Sequence, residues 1–168
     1  MRPSLIVTAL LGLASAAAAQ QAPPPCSTAE QRQFDFWAGD WIVTDSAGAT
    51  TYGTNQVTRE ENGCLLHEHW AGSTGGTGQS FNFYDRTKRE WTQVWVASTG
   101  TVLQLDGSLD GGAMRLEGDG LSPQGPVRNR IVWTPEPDGR VRQTWSVSRD
   151  GGRTWQAGFD GWYRRRTS

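Results

Sequence analysis

From residue 40 onward, bulky and polar side chains alternate along the chain with a period of two. Trp91, Gln93 and Trp95 fall on one face of their stretch, and Thr92, Val94 and Val96 on the other. Val141, Gln143, Trp145 and Val147 oppose Arg142, Thr144, Ser146 and Ser148, and Asn129, Ile131 and Trp133 oppose Arg128 and Arg130. Such alternation marks strands with one buried face, since successive side chains point to opposite sides of a sheet. Turn signals interrupt it at short intervals, among them Asn62-Gly63, Thr99-Gly100, Asp110-Gly111-Gly112 and Asp150-Gly151-Gly152. Asn-Gly and Asp-Gly favour tight hairpins because their residues tolerate positive φ. The spacing predicts ten strands, near 40–45, 51–60, 64–70, 79–84, 90–97, 101–107, 112–117, 126–134, 139–147 and 154–165. No stretch between them carries a 3.6-residue period, so no helix is on hand for a parallel crossover. The expectation is all-β: an antiparallel up-and-down barrel of about ten strands, since closure removes the exposed edges of a long meander. A two-sheet sandwich is the alternative. A propeller is disfavoured, because no sequence repeat recurs at a fixed period.

The segments before residue 40 read differently. Residues 1–19 have the layout of a signal peptide: Arg2, a short apolar run at 5–13, and Ala17-Ala18-Ala19 as a small-residue cleavage site. That run falls short of the roughly 20 residues that span a bilayer. The Ala-rich cut site points to a bacterial periplasmic or secreted protein, with no membrane span after cleavage. Residues 20–26 form a proline-rich spacer, and 27–168 a single domain. Ser27-Thr28-Ala29-Glu30 matches a capping box, which predicts a short helix from Thr28 to about Phe36, ended by Gly39.

Composition narrows the partners. In the whole chain 16 Lys+Arg face 17 Asp+Glu, and the only basic run is Arg164-Arg165-Arg166. A nucleic-acid partner needs a basic face for phosphates, so none is expected. Cys26 and Cys64 are the only two cysteines. In an oxidising compartment they predict a disulfide; two free buried thiols are the alternative.

Gly39-x-Trp41, following a short helix and opening the first strand, resembles the start of lipocalins and the wider calycin barrels. That resemblance implies that Trp41 packs across the closed end of the barrel. It also implies that a basic side chain near the last strand, Arg164 or a neighbour, lies on the Trp41 ring. The helix carrying Phe34 and Phe36 would then cover that end, so the FDFWAGDW segment is a plug. Phe34-Asp35-Phe36-Trp37-x-Gly39-x-Trp41, Gly63-Cys64, Glu68, Tyr84-Asp85, Trp91-x-Gln93-x-Trp95 and the stretch from Asp150-Gly151-Gly152 to Tyr163 are together similar to a bacterial family of domains. Its function is not established, and the likeness spans the mature chain.

Several local motifs invite a chemical reading. Ser148-x-Asp150-x-Gly152-x-Thr154-Trp155 has the Asp-box pattern of sialidases, but one copy in a short chain is a turn structure. His67 and His69 share a strand face at a spacing used by zinc sites, yet they are the only histidines, so no metal is assigned. The glycine-rich stretch 72–78 lacks the lysine and following helix of a phosphate loop and reads as a hairpin loop at the rim. Another loop is expected at 118–125. Glu68 shares a face with Cys64, Leu66 and Trp70 and points inward, where a carboxyl must be paired or raised in pKa. The expected function is binding of a small, partly apolar ligand by a monomeric barrel, with no cofactor and no catalytic residue assigned. Its candidate residues are Glu68, Trp70, Trp91, Gln93, Trp95, Asn129, Gln143 and Trp145, because binding sites are largely apolar with a few placed polar groups. The alternatives are an enzyme using Glu68 as general acid or base, and a filled barrel acting through its rim loops.

Overall fold

The computed structural model describes residues 23–166. The leader expected at 1–19 lies outside the described residues. Ten strands follow one another: β1 (Gly39–Thr44), β2 (Thr51–Glu60), β3 (Leu65–Gly72), β4 (Thr77–Asp85), β5 (Glu90–Ala97), β6 (Val102–Asp110), β7 (Ala113–Ser122), β8 (Gly125–Pro135), β9 (Val141–Ser148) and β10 (Gln156–Arg165). Each pairs antiparallel with its neighbour in sequence, and β10 closes on β1, so the meander is a barrel and not a sandwich. The seam runs from Trp41 opposite Arg165 to Thr44 opposite Trp162.

Two of the expected irregular stretches are strand. Residues 118–122 continue β7, and only 123–124 turn before β8. Gly118 is there for close approach: a Cβ on it would lie 2.1 Å from the Gln104 carbonyl oxygen. Likewise the loop expected over 72–78 shrinks to 73–76, between β3 and β4. Glycine inside a strand marks a tight approach as readily as a turn.

The expected helix is also corrected. In place of a continuous helix over 28–36 there are two single 3₁₀ turns, Glu30–Arg32 and Asp35–Trp37. Ser27 does not cap them; its hydroxyl donates to the Pro24 carbonyl at 2.7 Å. The reciprocal pair forms one residue later, with Thr28 N donating to Gln31 Oε1 and Gln31 N to Thr28 Oγ1, both at 3.4 Å. Aromatic burial overrides helix continuity here. Phe34 and Trp37 are fully buried, stacked at 5.0 Å between ring centres, and both meet Trp133 on β8. A regular helix places residues three apart about 60° away from eclipsed, whereas 3₁₀ side chains at that spacing line up.

These turns plug one end of the barrel. Asp35 is held by Arg32 and by Arg59 of β2, each at 2.6 Å. Trp41 donates its indole N–H to the Trp37 carbonyl at 2.9 Å. Arg165, and not Arg164, covers the Trp41 ring, with its guanidinium carbon 4.1 Å from the ring centre. The register decides this: Arg165 is the cross-strand partner of Trp41, while Arg164 faces outward opposite Ile42. Arg165 also donates to the Ala38 carbonyl at 2.8 Å. Gly39 makes room for it, since a Cβ there would sit 1.7 Å from Arg165 Nη1. Finally, Cys26 is joined to Cys64, in the β2–β3 turn, by a disulfide that clamps the plug's leading segment to the wall.

Candidate binding cavity

Above the plug the inward faces change character. The first layer is apolar: Leu66, Met114, Leu116, Trp133 and Val141 are essentially sealed from solvent. The next layer on β2 to β5 is polar, with Asn55, Glu68, Ser80, Asn82 and Gln93 all buried. They form a directed string around the wall. Gln93 Nε2 donates to Asn82 Oδ1 at 2.8 Å, and Asn82 Nδ2 donates to Ser80 Oγ at 2.8 Å. Ser80 Oγ in turn donates to Glu68 Oε2 at 2.5 Å, and Asn55 Nδ2 donates to Glu68 Oε1 at 2.8 Å. Register explains the meeting: Glu68 lies directly opposite Ser80, and Asn82 opposite Gln93.

Glu68 is the terminus of that string. Burial drives its carboxyl from the ordinary 4.5 up to about 7, although the bonds from Ser80 and Asn55 pull the other way. Desolvation disfavours the charged form, and here it outweighs two hydrogen bonds. Across the lumen Tyr163 of β10 hydrogen-bonds through its hydroxyl to Gln143 Oε1 of β9. Burial, and then the nearness of Glu68, push the Tyr163 phenol well above its usual range, so it remains a donor.

A cavity of about 180 Å³ opens over these groups. Glu68, Gln93, Gln143 and Tyr163 supply its polar wall, and Leu103 and Ile131 its sides. Trp70, Trp95, Trp145 and Phe159 ring it at the end away from the plug, where they are only partly buried. The lumen is thus closed below and reaches solvent above. Two glycines keep it open. A Cβ at Gly78 would fall 2.2 Å from the Trp95 ring, and one at Gly53 would fall 2.9 Å from the Trp70 ring. Both indoles therefore pack against bare backbone of the adjacent strand. Trp145 is pinned differently, donating to Asn129 Oδ1 at 3.0 Å.

Six of the eight residues read from the sequence as ligand contacts line this cavity: Glu68, Trp70, Gln93, Trp95, Gln143 and Trp145. Trp91 does not. It sits at the plug, edge-on to Phe34, with its N–H on the Glu30 carbonyl at 3.1 Å. Asn129 is in the wall and acts only through Trp145. Sequence reading missed Phe159 and Tyr163 on the lining, and Asn55 and Ser80 as holders of Glu68. The signal for Ser80 was its place two residues from Gly78 and from Asn82; Asn55 needed the register of β2 on β3.

The remaining motifs are structural in their contacts. Asp150 accepts from Arg153 N, Thr154 N, Thr154 Oγ1 and Ser148 Oγ, which hold its carboxyl down to about 2, Thr154 contributing most. Trp155 donates to the Gly152 carbonyl and lies under Arg130 at 3.8 Å. His67 and His69 are on the outer wall, where His67 meets Glu60 at 3.2 Å and Gln79 at 3.0 Å. Among the described residues no group of three or more His, Cys, Asp or Glu is placed to hold a metal ion, and no helix is long and apolar enough to cross a membrane. No model of a known protein family matches this chain, and no curated protein matches it either.

Proposed function

We propose that this protein is an exported, lipocalin-like binding protein that takes a small, partly apolar molecule into the cavity between Glu68 and the rim indoles. One observation carries the reading: the lumen stays open because Trp70 and Trp95 are laid against Gly53 and Gly78 instead of filling it. A barrel selected only for stability would close such a space, since close-packed interiors are the rule and empty volume costs stability. The mixture of indoles, two amides, a phenol and one carboxyl fits ligand sites, which are mostly apolar with few polar groups. Export accords with the disulfide, which persists in oxidising compartments. The lipocalin-like kinship and a monomeric state belong to the same proposal, as does membership of the FDFW-x-G-x-W domain family.

Native mass spectrometry of protein purified from its own host tests the reading. A retained small molecule, lost together with a change in tryptophan emission on mild denaturation, is the expected result. A bare mass, with side chains packed across the lumen in a crystal structure, would end it.

A second reading is supported by the raised Glu68 carboxyl. A group titrating near 7 inside a largely apolar pocket suits general acid–base work. On that reading Glu68→Gln abolishes turnover of a bound molecule while leaving its binding intact. On the first reading there is no turnover to lose.

A further inference from the structure

The chemistry of the lumen wall restricts what the cavity will accept. Its lining includes one carboxyl, one phenol and two amides, and no lysine, arginine or histidine. The groups packed on Glu68 are donors: Asn55 Nδ2 of β2 and Ser80 Oγ of β4. Facing it across the lumen are Tyr163 of β10 and Gln143 of β9, already bonded to each other, and Gln93 of β5, whose amide hydrogens go to Asn82 and Ser80. When Glu68 is protonated, the Asn55 amide that donates to it also carries an unpartnered buried acceptor, Oδ1, for its proton, but no cationic side chain among the cavity-lining residues balances the ionised form. A positive group entering there replaces that proton and gives the carboxylate its missing partner. Lining the same space are Trp70 and Trp95, packed on Gly53 and Gly78. Indole faces are electronegative and attract cations, most strongly where water is excluded.

Resting on the cavity reading above, we propose that the ligand is a small organic cation, an ammonium group on an apolar body, with its charge on Glu68 and between the rim indoles. An anion would meet a carboxyl and π faces with no cationic partner in the lining. A cavity of about 180 Å³ suits a body of roughly benzylammonium size. Because Glu68 titrates near 7 when the cavity is empty, cation binding expels a proton at lower pH and needs to expel none at higher pH. Apparent affinity therefore rises with pH up to about 7 and is flat above it.

The test is calorimetric titration of the full mature chain with benzylammonium, benzyl alcohol and benzoate, at pH 5.5 and pH 8, in buffers of differing ionisation heat. At pH 8 benzylammonium should bind at least about tenfold more tightly than benzyl alcohol, and benzoate should be the weakest. At pH 5.5 its affinity should fall by about tenfold or more, with close to one proton released per ligand. Glu68→Gln should erase both the preference for benzylammonium over benzyl alcohol and the pH dependence of benzylammonium binding. Equal binding of benzyl alcohol and benzylammonium, or preference for benzoate, overturns the cation inference and leaves the cavity reading standing. Failure of all three to bind also overturns it, and the native mass measurement then judges the cavity reading separately. Should Glu68→Gln lose its near-ultraviolet circular dichroism, proton release by the natural protein decides alone, and its absence at pH 5.5 refutes the inference.

Discussion

Glu68 shows how one residue can be legible in type and illegible in surroundings. Face parity with Leu66 and Trp70 placed it indoors, and a carboxyl indoors must be paired or shifted. Its actual partners, Asn55 and Ser80, come from strands on either side and depend on registers that no local pattern states. The cost of burying it is measurable. Its folded pKa of about 7 lies above the ordinary 4.5, so the folded chain holds this proton more tightly than the unfolded chain. The associated stability is fully present below pH 4.5 and is lost as pH rises through about 7. A shift of that size corresponds to about 3 kcal/mol. Glu68→Gln should remove the slope, so that chemical denaturation finds the variant gaining on the parent between pH 5 and pH 8 by up to about that amount. Parallel stability curves for the two proteins would show that Glu68 is not desolvated.

At the scale of the element, the alternating pattern predicted all ten strands, and the largest shift of an end, at β7, fell where glycine was read as a turn. Gly118 belongs to β7 and Gly78 to β4, because backbone or an aromatic ring comes too close for a Cβ. That approach is made by another strand, so the sequence pattern alone reads it as flexibility. Gly78→Ala tests the glycine–indole pairing: the added methyl group forces Trp95 off the wall and into the lumen. Overpacking of this sort should cost about 1–3 kcal/mol in denaturant unfolding, and ligand affinity should drop with the loss of space. The plug element was predicted as a helix and is two 3₁₀ turns, since the Phe34–Trp37 stack on Trp133 outweighs the gain from another helical turn. Its tether to Cys64 closes a 38-residue separation. Reduction, or the paired Cys26→Ser and Cys64→Ser changes, should destabilise the barrel by about 4 kcal/mol in the chain-entropy view and lower the thermal midpoint.

For the whole molecule, closure is the property that matters most. Hairpins β1–β2 through β9–β10 join near neighbours, but the seam brings Trp41 to Arg165. Loop-closure entropy delays such distant pairings, so the seam should form late in folding. Val43, fully buried on β1 opposite Tyr163 of β10, reports on it. Val43→Ala should accelerate unfolding in stopped-flow denaturant jumps and leave the refolding rate nearly unchanged. A variant that slows refolding in proportion to its lost stability would instead place the seam in the folding nucleus.

The sequence by itself determined the strand count, the meander order, the inward faces, the cysteine pair and most of the cavity lining, because each rests on local period or on a residue type with few uses. Tertiary structure alone decided which arginine covers Trp41, which polar groups surround Glu68, and whether the tryptophans fill the lumen or line it. Those outcomes depend on how far one strand is slid along the next, and a slide of one residue exchanges every inward side chain for its outward neighbour. Cavity and carboxyl are therefore products of register summed around a closed ring, which no single segment contains.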